Sequence, residues 1–524
     1  MSSALEQLIS TIYRADKPHS ASEDEDVITV SETVSAAASL YETVRNYLEY
    51  DEEHLLRRNA ISRILKRRFG DTNHKKLATD IVYELIWARY LPNKSIPVRL
   101  IGEMEDIVKK YAVLFDEVDE SAPEFSTWSL WLIDMLSTEI EYHLVPPVAQ
   151  EALASFTYQD AKGRAQWAAE FVREEDQDLQ LYMAVHRALL KSNVATLRFR
   201  VFSLYYPDWK ENPSAERVKE IAQNLNVIYD SVEYQIQHPA RDIVFRAVQK
   251  HGVVYRILYD LIEKDPQGFF SLLADEAAFV DQVKKAASAS YKQFYGRLRR
   301  SIIRAVIFLF FTKMIIGLVV ELPYDLYVVH TTNFVPLMTN ILFHPFLLAV
   351  IGISVRIPAK ENTKKIEEEL RSVVGLPGND WRLLIRKRRA WPKGFIGGFF
   401  HVLYTLLFLV SIGVLTMILR AFDFNIVSIM LFLFFLSLVT FFGLKIRSGK
   451  RDLVIIESKG GLISGLVDLF FLPIIRAGRW ISMNAPRVNV LLFFLDFIID
   501  APFKAFIRLI ESWLAFLREK KEEI

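Results

Sequence analysis

Lys313 lies near the middle of one long apolar run, and His344 lies at the centre of the next, immediately before Pro345. An ammonium at mid-membrane costs at least about 2.5–3.5 kcal/mol, so Lys313 needs a partner, a wet cavity or a lost proton. Pro345 frees the carbonyl of Ile341 as one candidate acceptor. Two such groups on neighbouring spans could form an intramembrane proton or ion relay. The plainer reading is preferred: Lys313 snorkels or bonds a neighbouring carbonyl, and His344 packs as a neutral ring. Glu321, Pro323, Tyr324 and Asp325 close the first run, and His330 follows. Glu321 and Asp325 form a candidate acidic cluster on the outer side that could collect a cation. Two carboxylates around a proline are more often a helix end meeting water. His401, near an end of the third run, reads as an interfacial residue.

Other chemistry is poorly represented. Asp51 and His54 have acid-x-x-His spacing, but the second copy needed by a di-iron bundle is missing. Glu139 and His143 stand one helical turn apart, which fits a surface pair equally well. The chain has no HExxH, Walker A, GxSxG or GxGxxG motif. It has no cysteine, which excludes disulfides, thiolate metal sites and Cys nucleophiles. No catalytic residue, metal ligand or cofactor site is therefore assigned. Arg57, Arg58, Arg63, Lys66, Arg67 and Arg68 form a basic run interleaved with apolar residues. It reads as a solvated helix face first and a membrane-facing one second. Nucleic acid is not an expected partner, and a net charge of +1 agrees.

The elements that must carry these residues divide the 524-residue chain in two. Four nearly uncharged runs, Ile302–Leu322, Phe334–Val355, Phe395–Leu419 and Ile426–Leu444, approach or exceed the ~20 residues that cross a bilayer core. Nothing before them is apolar for long enough. The expected fold class is all-α: a soluble helical N-terminal domain, then an α-helical transmembrane domain with C-terminal amphipathic helices. Residues 1–30 read as a short helix and an acidic, Ser-rich linker (Ser20–Asp26), and 31–300 as a cytoplasmic helical domain. Residues 301–445 hold four spans with a basic loop at 356–393, and 446–524 hold interfacial helices.

Charge placement orients the chain. Six Lys and Arg residues between Lys284 and Arg300 precede the first run, and the connection from Pro323 to Asn333 has none. The connection from Arg356 to Lys393 has eleven against five acids, and Lys445, Arg447, Lys450 and Arg451 follow the fourth run. The positive-inside rule then places the N-terminal domain, the central loop and the C-terminal tail in the cytoplasm. Arg386, Lys387, Arg388 and Arg389, beside Trp391, are explained by that rule, with anionic-lipid contact as an addition.

Apolar stripes at helical spacing recur through the head: Leu77, Ile81, Val82, Leu85, Ile86; Met104, Ile107, Val108, Tyr111, Phe115; and Val254, Ile257, Leu258, Leu261, Ile262. Leu197, Phe199 and Val201 alternate with Arg198 and Arg200 as a strand would, but a lone strand has no partner, so a helix is expected. The central loop predicts helices over Ala359–Val374 and Trp381–Arg389, and Leu453–Glu457 predicts a short extended segment. In the tail, Asp496, Asp500, Lys504, Arg508 and Glu511 make one polar stripe, and VDLFFLP parallels LDFIIDAP. Two interfacial segments are expected there in preference to a hairpin that would bring the spans to six. Gly461 and Gly465 allow close helix packing.

ELPYDL (Glu321–Leu326), NILFHP (Asn340–Pro345), RIPAKENT (Arg356–Thr363), FLPIIRAGRW (Phe471–Trp480) and LDFIIDAPFK (Leu495–Lys504) carry a resemblance over about residues 300–524. This half resembles uncharacterised polytopic inner-membrane proteins of small-genome, candidate-phylum bacteria. The resemblance implies a bacterial inner-membrane location and brings no functional residues.

The leading expectation is a non-enzymatic scaffold or interaction platform on the membrane. Its partners would be the bilayer, proteins bound through residues 31–300 and copies of itself. The alternative is an oligomeric transporter or channel using Lys313 and His344. A membrane-bound enzyme acting on lipid would have to use Asp468 and Asp496.

Overall fold

The computed structural model describes residues 3–15, 26–30, 53–68, 74–118, 125–168, 171–211, 213–330, 333–386, 394–456 and 471–481. The chain is all-α, as its apolar periodicity demands, and it divides into two compact units at Val248 and Gln249.

The first unit comprises α1 (Ser3–Ala15), α2 (Glu53–Arg68), α3 (His74–Trp87), α4 (Arg99–Asp116), α5 (Phe125–Leu144) and α6 (Val148–Arg164). It continues through β1 (Ala165–Trp167), α7 (Glu174–Leu189), α8 (Val194–Tyr205), α9 (Ala215–Gln223) and α10 (Leu225–Ile236). The first helix is part of its core: Leu5, Leu8, Ile9 and Ile12, spaced for one helical face, are buried and pack on α6. Residues 26–30 follow the expected linker as packed chain. Val27 bridges Pro97, Ile28 and Val30 are buried, and the Asn93 amide both donates to and accepts from the Val30 backbone at 3.0 Å. Helix α5 is central and contacts α2, α4 and α8, which is why it is apolar around most of its circumference.

Helix α8 begins at Asn193, whose side chain accepts the Thr196 N–H at 2.9 Å. Its strand-like alternation arises because the charged positions are inside too: Arg200 is buried against Glu151, and Arg198 binds Glu233 and Asp134. The helix expected over Trp381–Arg389 is corrected in part. Leu383–Ile385 is a strand, β2, paired in parallel with β1 and counted in the first unit. Leu383 and Ile385 are buried with Leu384 exposed, a period of two that a three-residue window cannot separate from a helix.

Helix α11 (Arg241–Lys264) runs across the division, so the boundary falls inside a helix rather than at the onset of the apolar runs near residue 300. The second unit contains α12 (Phe269–Ala274), the 41-residue α13 (Glu276–Ile316), α14 (Val335–Ile353), α15 (Ala359–Val373), α16 (Phe395–Ala421), α17 (Ile426–Ser448) and a helix at 471–481. Helix α13 starts at Asp275, which caps Ala278 N–H at 3.0 Å, and no break separates its charged first half from its apolar second. The expected extended segment after α17 is irregular: Leu453 lies in a turn, and Asn362 binds both the Leu453 carbonyl and the Ile455 N–H.

Four helical stretches in this unit, Glu276–Val329, Val335–Ile353, His401–Ala421 and Ile426–Asp452, are long and apolar enough to cross a membrane. Their outward faces agree, since Ile307, Phe308, Phe311 and Ile315 are each more than half exposed. A row of this kind is costly in water and natural in lipid. The 471–481 helix packs beside α17 so closely that a Cβ on Gly478 would collide with the Ser437 carbonyl oxygen.

Candidate functional site

Past α13 the backbone continues helically to Val329, but as π turns over Gly317–Glu321 and Asp325–Val329. Pro323 is the local cause: it has no N–H, and its ring would clash with the carbonyl of Val319 in a regular helix. The Leu322 N–H instead reaches five residues back to Gly317, and the His330 N–H to Asp325. The path ends at His330, which is left-handed at φ 56° and ψ 39°.

This irregularity places the site. On a regular α-helix, Glu321 would sit about 80° past alignment with Lys313, eight residues earlier. The wider i→i+5 turn takes back most of that rotation, so both face α14. Lys313 Nζ donates to Asn340 Oδ1 at 2.7 Å and lies 4.2 Å from the centre of the Phe435 ring. Asn340 Nδ2 donates to Glu321 Oε1 and, at 3.2 Å, to the Ser428 carbonyl. One amide thus accepts from the lysine amine and donates to the glutamate carboxyl group while tying α13 and its extension to α14 and α17. Lys313, Glu321 and Asn340 are each 2% exposed or less. Glu321 Oε2 is buried with no hydrogen-bond partner among the described residues.

Asp325 is also buried and accepts from Asn425 Nδ2. Asn425 Oδ1 caps α17 by accepting the Ser428 N–H at 2.8 Å. His344 is fully buried, with Nδ1 3.1 Å from the Asn340 carbonyl and Nε2 3.0 Å from the Phe432 carbonyl. A neutral imidazole can donate to only one of these two oxygens.

Lys313 and His344 therefore do not bond each other; both reach Asn340, one at its side chain and one at its backbone. Lys313 does not snorkel, and its acceptor is an amide rather than the freed Ile341 carbonyl. Glu321 and Asp325 do not end a helix in water: each is buried against an asparagine. His330 and His401 are exposed. Arg386 is exposed, while Lys387, Arg388 and Arg389 lie outside the described residues, as do Asp468, Asp496, Gly461, Gly465 and the tail stripe.

The head candidates resolve as internal ion pairs. Arg57 forks onto Glu141 at 2.7 and 2.8 Å, Arg58 reaches Asp134 at 2.5 Å, and Arg67 reaches Glu84 at 2.7 Å. Arg57 and Arg58 are buried, so two of the six residues expected on a solvated face belong to the core. Glu139 binds Lys110, Tyr111 and Trp209, and His143 faces Glu103 instead. Asp51 is not among the described residues, and no cluster of three metal-ligating side chains occurs among those that are.

Asn340, Asn425 and Ser428 were missed by reading for ionisable groups. Asn340 stands four residues before His344, on the same face, and an Asn directly before an apolar run is a cap signal. No protein-family model, curated protein or solved structure matches this chain.

Proposed function

We propose that this protein is a non-enzymatic, polytopic platform of the bacterial inner membrane, with its N-terminal helical unit and its tail on the cytoplasmic side. The observation that carries this reading is the closure of the intramembrane polar groups on one another. Lys313, Asn340 and Glu321 join three helices, and the groove of the same unit is lined by none of them nor by His344. Polar groups arranged in this way hold spans together. The head supports a platform because its buried charges, too, are spent on its own packing. Its partners would be proteins bound through residues 31–300 and further copies of the chain. The positive connections and the resemblance of residues 300–524 support the location.

A transport reading is favoured by one observation, the buried Glu321 Oε2 with no hydrogen-bond partner among the described residues. Proton and cation flux in proteoliposomes separates the two readings. The platform reading expects no flux above empty vesicles from wild type, Lys313→Met or Glu321→Gln. Flux from wild type that both variants lose would replace it with a transporter.

A further inference from the structure

The second unit also carries an apolar groove of about 600 Å³ between α14, α16, α17 and the 471–481 helix. On α14 it is lined by Thr339, Phe343 and Leu347, and on α17 by Leu436, Thr440, Leu444 and Arg447. Spacing by three or four puts each set on one stripe of its helix. Phe432 to Arg447 spans fifteen residues, roughly 22 Å at 1.5 Å per residue. The groove is therefore long, and apart from Thr339 and Thr440 it is apolar except at one end.

That end is set by Arg447. It is exposed and forms no ion pair among the described residues, and Lys445, Lys450 and Arg451 lie within four residues of it. An apolar groove of this size is within the range of ligand sites, and a guanidinium at one end of its lining favours negative charge. We infer that the groove holds one acyl chain of an anionic phospholipid, with the Arg447 guanidinium on the headgroup phosphate. Arg is suited to this because its planar fork binds phosphate oxygens in pairs. The occupant is a lipid and not a soluble anion, because nearly the whole lining is hydrocarbon.

The inference rests on the membrane reading above, but the two fail separately. Carbonate-resistant membrane association reports insertion whether or not the groove is filled. The test is native mass spectrometry of the full-length chain with equal amounts of dioleoyl phosphatidylglycerol and dioleoyl phosphatidylcholine. Wild type should retain one phosphatidylglycerol. Thr339→Trp, which fills the groove, should retain about tenfold less of either lipid. Arg447→Gln should still retain lipid but lose about fivefold of the preference for phosphatidylglycerol. If the Trp variant misfolds, the comparison of wild type with Arg447→Gln carries the test on its own. Unchanged retention in a folded Thr339→Trp, or an undiminished preference in Arg447→Gln, would overturn the assignment.

Discussion

The first unit and the apolar helices of the second both bury ionisable groups, but by different means. In the first unit, cations meet carboxylates directly: Arg57 with Glu141, Arg58 with Asp134, Arg200 with Glu151 and Lys110 with Glu139. One of these carboxylates, Glu139, also accepts from the Tyr111 phenol and the Trp209 indole. In the apolar helices, Lys313 and Glu321 are separated by the Asn340 amide. The reference states explain the contrast. A head that unfolds into water must recover the full hydration of each ion, so only direct, multiply bonded pairs offset burial. A span that separates within lipid keeps its polar groups in hydrocarbon, where they find substitute partners, so one bridging amide suffices.

Removing a partner in each region should sharpen this contrast, and the head should suffer more. Glu141→Gln leaves Arg57 buried without its carboxylate and should destabilise the first unit by about 3–5 kcal/mol. Hydrogen exchange of the α5 amides in the full-length protein would read this out. Gly478→Ala forces a methyl into the Ser437 carbonyl and should cost about 1–3 kcal/mol. It should appear as faster exchange along 471–481 with α5 unaffected. Asn340→Leu removes both bridging bonds, yet should cost only about 1–2 kcal/mol in bilayer or detergent. A loss as large as that for Glu141→Gln would break the comparison.

A further effect depends on pH. His186 is buried in the first unit beside Tyr182, and burial, reinforced by the charges of Arg200 and Lys210, holds its imidazole well below its usual value. The folded state then keeps His186 neutral while the unfolded chain takes up a proton below about pH 6.5. Stability is full above that value and declines as pH falls toward the folded value, by at most about 1.4 kcal/mol per pH unit. His186→Gln should flatten the fall in head stability between pH 6.5 and 5, measured by the same exchange. An equally steep fall in the variant would assign the acid sensitivity to other groups.

The four long helices could be read from composition alone, because about twenty uninterrupted apolar residues have few other uses. The stripes of α3, α4 and α11 were equally plain. What sequence did not show was pairing at a distance. The Arg57–Glu141 pair joins residues 84 positions apart, and nothing local distinguishes a buried arginine from a solvated one. The strand Leu383–Ile385 is defined only by its partner at Ala165–Trp167. Asn340 escaped because an uncharged side chain raises no alarm in an apolar run, although it is the residue on which Lys313 and Glu321 converge. The π turn that aligns them follows from Pro323, but its direction depends on the packing of α14.

The closure of this polar cluster can be tested by accessibility, since the chain has no cysteine to confuse the result. Lys313→Cys, Glu321→Cys and Asn340→Cys would each be exposed to a water-soluble thiol reagent, applied in turn to the two sides of sealed proteoliposomes. A cluster that only ties helices together should give no labelling from either side and full labelling after denaturation. Rapid labelling of the folded protein at any of the three positions would mean that water reaches Asn340 and its neighbours, and would contradict the platform reading at its centre.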